Sequence, residues 1–250
     1  MVRPAAGLGS GCRIRRGSFV DQVETAVLWS PGTGSHKAAR YWRGDGVGKL
    51  IYVTNVSLDG YIKDGNGAFD WLPVDDEVFA FTTDLLRSVG TFLYGRRLYE
   101  AMAVWETDTA LAAQSDLMAD FASTWQAASK VVYSATLPAV STAGTRLERR
   151  FDPAAVHELK ATTGRDLTVG GADLAAQAFR AGLVDECRLL ILPVVVGGGK
   201  PGLPTGMRAD LELLDERRFR NGVVHLSYRP RTSGHRHAAV VMDAARRPGG

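Results

Sequence analysis

From residue 50 onward the chain alternates short β-branched runs with amphipathic stretches, then closes on two apolar runs joined by Asn221-Gly222. That order constrains the fold more than any other feature. Residues 50–56, 91–94, 130–134, 145–148, 166–169 and 187–196 read as strands, and 75–89, 96–102, 115–127, 153–161 and 171–181 as helices. In the 75–89 stretch Val78, Phe81, Leu85 and Val89 recur on one face, and in 171–181 Leu174, Ala178 and Phe179 do. Such alternation builds parallel strands into one sheet with helices on both sides. The Asn-Gly turn between 211–219 and 223–228 signals a hairpin, so the last strands run antiparallel. The expectation is a three-layer α/β fold around a mixed, mostly parallel sheet.

Two of the strand-to-helix junctions carry chemistry. In the first, the strand ending at Val169 meets Gly170-Gly171-Ala172 and a helix follows. Glycines allow a ligand close to the backbone, and unpaired N–H groups at a helix start favour an anion. In the second, Gly95-Arg96-Arg97 opens another helix. Cations there oppose the helix dipole, which an anion close by would relieve. Two such junctions suit a nucleotide with several phosphates and suggest a dinucleotide-dependent enzyme. A plain tight connection is the alternative at each. Gly197-Gly-Gly199-Lys-Pro-Gly202 matches G-x-G-x-x-G only formally, because Pro201 and Pro204 prevent a helix from opening there. It reads as a flexible loop beside the site.

Charge narrows the partners. The net charge is +3, but residues 1–48 and 229–250 each carry +4, which leaves −5 for 49–228. An acidic body disfavours nucleic-acid binding, which needs clustered Lys and Arg on a folded face. The 1–48 segment, rich in Gly, Ser, Pro and Arg, is expected to be a disordered extension, 49–228 the single globular domain, and 229–250 a disordered basic tail. Cys12 and Cys187 stand alone, the five His are scattered, and no metal-ligand spacing appears. No apolar run has the length of a membrane span, so the default expectation is a cytoplasmic protein. The apolar C-terminal strands need cover at the sheet edge, which points to a homodimer.

Val53-Thr-Asn-Val-Ser57-Leu-Asp59-Gly60-Tyr61-Ile62, Tyr94-Gly95-Arg96, Val169-Gly170-Gly171, Gly182-Leu-Val-Asp185-Glu186 and Pro193-Val-Val-Val-Gly197-Gly-Gly199 resemble, in this order, the dihydrofolate reductase-like superfamily. They are most similar to the C-terminal reductase domain of the bacterial bifunctional riboflavin-biosynthesis deaminase–reductase. The resemblance covers roughly 49–228. It implies a dihydrofolate reductase-like fold, NADPH across the carboxyl edge of the sheet, and a symmetric dimer.

By the same resemblance Gly95 and Arg96, with Arg97 beside them, match the junction at the adenosine 2′-phosphate. Ser134 falls near the adenosine loop, and Gly170, Gly171 and Ala172 under the pyrophosphate. Asn55, Trp71 and Tyr99 are expected at the substrate. Asp59 or Asp75 is expected as the proton-handling acid, if a partly buried site raises its pKa, with Tyr61 and Tyr99 behind them. For Asp75 helix capping is the competing account, and for Ser134 the capping of a turn.

The chain also departs from that pattern. Val169 stands where riboflavin reductase domains typically carry Glu before the Gly-Gly pair, 100–114 offers no basic loop for a phosphoribosyl group, and the deaminase domain is absent. The expected activity is NADPH-dependent hydride transfer to a C=N or C=O bond of a small heterocycle, after the manner of 5-amino-6-(5-phosphoribosylamino)uracil reductase or dihydrofolate reductase. The alternative is a nucleotide-binding or assembly protein that keeps the fold without turnover.

Overall fold

A computed structural model describes residues 47–69, 71 and 75–231 of the chain. Nearly all of the expected 1–48 extension, Cys12 with it, lies outside the described residues, as does the tail from 232 on. Among the described residues the strands are β1 (Leu50–Ser57), β2 (Tyr61–Lys63), β3 (Val89–Gly95), β4 (Ser129–Tyr133), β5 (Thr145–Glu148), β6 (Asp166–Gly170), β7 (Glu186–Leu192), β8 (Lys200–Pro201), β9 (Leu211–Arg218) and β10 (Val224–Pro230). The helices are α1 (Asp76–Leu86), α2 (Arg96–Met102), α3 (Val104–Thr107), α4 (Thr109–Ala112), α5 (Asp116–Ala127), α6 (Pro153–Thr162) and α7 (Ala172–Arg180).

Eight strands make one sheet in the order β5-β4-β3-β6-β1-β7-β10-β9. The first six are mutually parallel, and β10 runs antiparallel to both β7 and β9. The expected mixed sheet with antiparallel C-terminal strands is what forms. One face carries α1 to α5 over a core that includes Phe92, Tyr94, Trp105, Phe121 and Trp125. The other carries α6 and α7 over Leu50, Tyr52, Leu167, Val169, Leu174 and Ala178. A smaller cluster of Leu190, Leu192, Phe219 and Val223 takes in Trp71, Val78 and Phe81 near α1. Cys187 is buried in the second core, and burial pushes its thiol up to about 12, so it behaves as a small hydrophobe.

Differences from the expected elements have local causes. The helix expected to reach Val89 stops at Leu86, and Val89 begins β3. Gly90 continues that strand, packed so closely on the Arg165 side chain that a Cβ would stand 2.8 Å from the Arg165 Cβ. The strand expected over 187–196 ends at Leu192, before Pro193. The helices α3 and α4 were not anticipated, since neither is longer than four residues. Lys200 and Pro201, expected in a free loop, pair with β2 instead. No helix among the described residues is long and apolar enough to cross a membrane. None of their His, Cys, Asp and Glu gather in threes as a metal site would require.

Candidate active site

The strands β3 and β6 are neighbours in register, Tyr94 against Gly170. The chain therefore leaves both strands side by side at the carboxyl edge, where open α/β sheets bind ligands. Gly95 caps α2 and Gly171 caps α7, and among the described residues neither helix start has a side-chain cap hydrogen bond. Gly171 adopts φ 93° and ψ 122°, a conformation L side chains rarely take. A Cβ built there would stand 3.9 Å from the Gly95 amide nitrogen, so the two turns meet with no side chain between them. Gly170 is closed off from beneath, since its Cβ would stand 3.0 Å from a Tyr94 ring carbon. Together with Ala172 in the first turn of α7, this is a backbone cradle whose N–H groups suit a phosphate.

Arginine lies at the rim of the cradle. Arg96, half-exposed, donates from Nε to Glu100 Oε1 at 2.7 Å and from Nη1 to Thr136 Oγ1 at 3.1 Å. Arg97 is exposed beside it. Thr136 belongs to the turn after β4, which Ser134 organises by accepting from the amides of Thr136 and Leu137 at 3.2 and 2.9 Å. Ser134, expected near the adenosine loop with turn capping as the alternative, caps this turn, its oxygen claimed by local amides. Arg149, which the sequence reading passed over, donates to Leu137 O at 2.6 Å and holds the same turn from the other side. Its one signal was the Arg149-Arg150 pair directly after a strand.

The expected substrate residues divide. Asn55 pairs with Leu190 across β1 and β7, which places it on the face of the cluster that Trp71 joins, and it is exposed. Trp71 Nε1 is buried and has no hydrogen-bond partner among the described residues. Asp75 caps α1, its Oδ1 accepting from the amides of Glu77 and Val78 at 2.9 and 3.3 Å, while Val78 and Phe81 of that helix pack into the same cluster. Asn55, Trp71 and Asp75 therefore share one side of the sheet, at the carboxyl ends of β1 and β7.

Tyr99 does not join them. It is 2% exposed, and its hydroxyl accepts from the amides of Ser141 and Thr142 at 2.7 and 3.2 Å. Burial opposes ionisation of Tyr99, but hydrogen bonds from Ser141 and Thr142 outweigh it and lower the pKa. Its place is structural, a pin between α2 and the loop before β5.

Asp59, expected as a proton-handling acid, is engaged by backbone amides. Its two oxygens accept from the amides of Val196 and Gly197 at 3.2 and 2.8 Å, on the surface. Hydrogen bonding to Ser57, then to those amides, holds its pKa below the ordinary carboxylate value instead of raising it. Asp59 is a clamp on the loop after β7, and a group so readily ionised is a poor proton donor near neutrality.

A cavity of about 320 Å³ opens on the face of the sheet opposite Asn55 and Trp71. Its walls include Val56, Leu58, Leu189, Ile191, Pro201 and Leu203, and its polar members are Ser57, the clamped Asp59, Tyr61 and Thr205, which places Tyr61 here and not beside Trp71 and Asp75.

The chain is similar to several known proteins. The chain is 32% identical over 182 residues to the uncharacterized protein YyaP of Bacillus subtilis, covering 72% of this chain and 94% of that one. A protein from Shewanella sp. PV-4, provisionally ascribed to riboflavin biosynthesis, superposes with a TM-score of 0.58 at 19% identity, over 74% of this chain and 99% of that one. RibD of Acinetobacter baumannii superposes at 0.54 and 15% identity, over 75% of this chain but only 59% of its own length. Residues 48–225 match the RibD C-terminal domain, and the chain belongs to that family.

Proposed function

We propose that the chain is an NADPH-dependent reductase acting on a C=N or C=O bond of a small, pterin-like or riboflavin-precursor-like heterocycle in the cytoplasm. The observation that carries this reading is the meeting of Gly95 and Gly171, two uncapped helix starts with nothing but backbone between them. Such a cradle suits a diphosphate, and Arg96 at its rim suits a further phosphate. Membership of the RibD C-terminal domain family supports a reductase. NADPH, when bound, supplies the hydride; the protein supplies position, electrostatics and a proton.

On the substrate side, Trp71 offers an aromatic wall and an unpartnered Nε1–H for a ring carbonyl. Asp75 Oδ1 is engaged with its own helix. Its second oxygen accepts a ring N–H and orients the heterocycle, and the proton that the reduced nitrogen or oxygen takes comes from water, relayed through this carboxylate. Residues 100–114 contain no Lys, Arg or His, and α3 and α4 form there. A segment without cations does not grip a phosphoribosyl group, so we favour a substrate without a phosphate.

The decisive test is titration calorimetry with both reduced cofactors. Arg96→Ala is expected to weaken NADPH by about 10- to 100-fold, the cost of a charged hydrogen bond, and to leave NADH within about two-fold. Equal weakening of both would remove the 2′-phosphate role. Cofactor oxidation over a panel of pterins, flavin precursors and imines then separates turnover from binding alone; tight binding with no oxidation would favour the alternative without turnover.

We also propose a homodimer. On the side of the sheet away from α1, Leu189 and Ile191 pair with Leu226 and Val224, and Tyr228 pairs with Leu213. Leu58, Leu203 and Leu213 are 65%, 39% and 48% exposed around them. A second copy of the chain would cover this apolar face by two-fold pairing. Light scattering at micromolar concentration should give twice the chain mass, and a monomeric mass would refute it.

A further inference from the structure

Lys200 is held in place by three devices, none of which uses its own side chain. Gly199 before it has φ 135° and lies so close to the β2 turn that a Cβ would collide with the Lys63 carbonyl. The backbone of Lys200 then pairs with Lys63 across β2 and β8. Beyond it the Tyr52 hydroxyl donates to Gly202 O at 2.6 Å, and a Cβ on Gly202 would collide with Val56. From this fixed point the side chain reaches across to the Asp173 carboxylate in the first turn of α7. Lys200 and Asp173 are 42% and 82% exposed, and an ion pair that open contributes little to stability. A rigid mount for a weak contact calls for another purpose. The pair stands two residues beyond Gly171, at the uncapped start of α7.

We propose that Lys200 is a ligand for the diphosphate bridge of a dinucleotide, handed over from Asp173 when the dinucleotide binds. The inference rests on the reading that the Gly170-Gly171 turn takes such a cofactor. Without ligand, Asp173 provides the negative charge that a helix start favours, and Lys200 neutralises it. A diphosphate seated on the same turn brings more negative charge and repels the carboxylate. The lysine stem is flexible and its ammonium is a compact charge, so it follows the stronger anion. Lys200 and Asp173 then act on affinity with opposite signs. Because the diphosphate is common to both cofactors, their effects do not distinguish NADPH from NADH, whereas that of Arg96 does.

The test is calorimetric titration of the full chain with NADPH and with NADH at low and moderate salt. Lys200→Met should weaken both by about ten-fold, with a shallower dependence on salt. Asp173→Asn should tighten both by about three-fold, because it removes a repelling charge and frees the lysine. Lys200→Met in the Asp173→Asn background should still weaken binding. Thermal unfolding of each variant should match the parent, since both groups are exposed. Affinities for Lys200→Met within two-fold of the parent would overturn the role. So would an effect of Lys200→Met that vanishes in the Asp173→Asn background, which would leave the lysine only neutralising Asp173. A parent chain that binds neither cofactor would overturn the dinucleotide reading itself, and this role with it.

Discussion

Replacing Asp75 by Asn is expected to leave the fold intact and to cut turnover by about a hundred-fold or more, the usual worth of a positioned acid–base group. The substitution isolates chemistry from structure. Asp75 caps α1 through Oδ1, which accepts from the amides of Glu77 and Val78. Asn caps a helix about as well as Asp, so that contact survives. What is lost is the negative charge and the capacity to carry a proton. Thermal unfolding should therefore stay close to the parent while kcat falls in the oxidation assay. Asp75→Ala should show both defects, with about 1 kcal/mol of stability lost as the cap is removed. Asp59→Asn serves as the contrast, since its carboxylate is occupied by the amides of Val196 and Gly197. Full turnover in Asp75→Asn would leave that acid with capping as its only task.

His225 is expected to make the fold acid-labile. It is 2% exposed, lies edge-on to Phe81 at 4.9 Å, and neither ring nitrogen has a hydrogen-bond partner among the described residues. Asp215 is 3.8 Å away and favours the charged ring. Burial acts more strongly the other way, with Arg188 and Arg217 adding to it, and the pKa falls from 6.5 to about 4. The folded protein thus holds a neutral imidazole well below the pH at which the unfolded chain takes up a proton. Stability is unaffected above about 6.5, declines as pH falls from there to about 4, and is flat below that for this group. The difference corresponds to about 3 kcal/mol, enough to matter against a typical total of about 5–15 kcal/mol. Urea unfolding between pH 7.5 and 4 should show the decline in the parent and a shallower one in His225→Leu, which has no ring to charge. Parallel stability curves for the two proteins would show that His225 contributes nothing to acid lability.

Much of the fold was legible in the sequence because the signals are local. Strand and helix periods depend on neighbours a few residues apart. The sharp turns at Gly170-Gly171 and Asn221-Gly222 need residues that tolerate positive φ, and both Gly171 and Gly222 adopt it. The cores assembled from the faces those periods marked, as Leu174 and Ala178 show. The ends of elements were less legible. Val89 fits a helical face by spacing, yet it begins a strand because the next residue must lie against Arg165, distant in sequence.

The site separated along the same line. Residue types and spacing alone identified two phosphate-ready junctions and a strand order closing on a hairpin, and the family resemblance named the acids and aromatic side chains that could serve a substrate. Only the tertiary structure decided which of them meet. It set Gly95 against Gly171 through the register of β3 and β6. It kept Asn55, Trp71 and Asp75 on one side of the sheet and spent Tyr99 on the Ser141–Thr142 loop and Asp59 on the Gly197 loop. It also brought Lys200 to Asp173. A carboxylate or hydroxyl is free for chemistry only if no backbone amide claims it. Those amides arrive from segments as far apart as Asp59 and Gly197, and their arrival depends on strand pairing that no local pattern specifies.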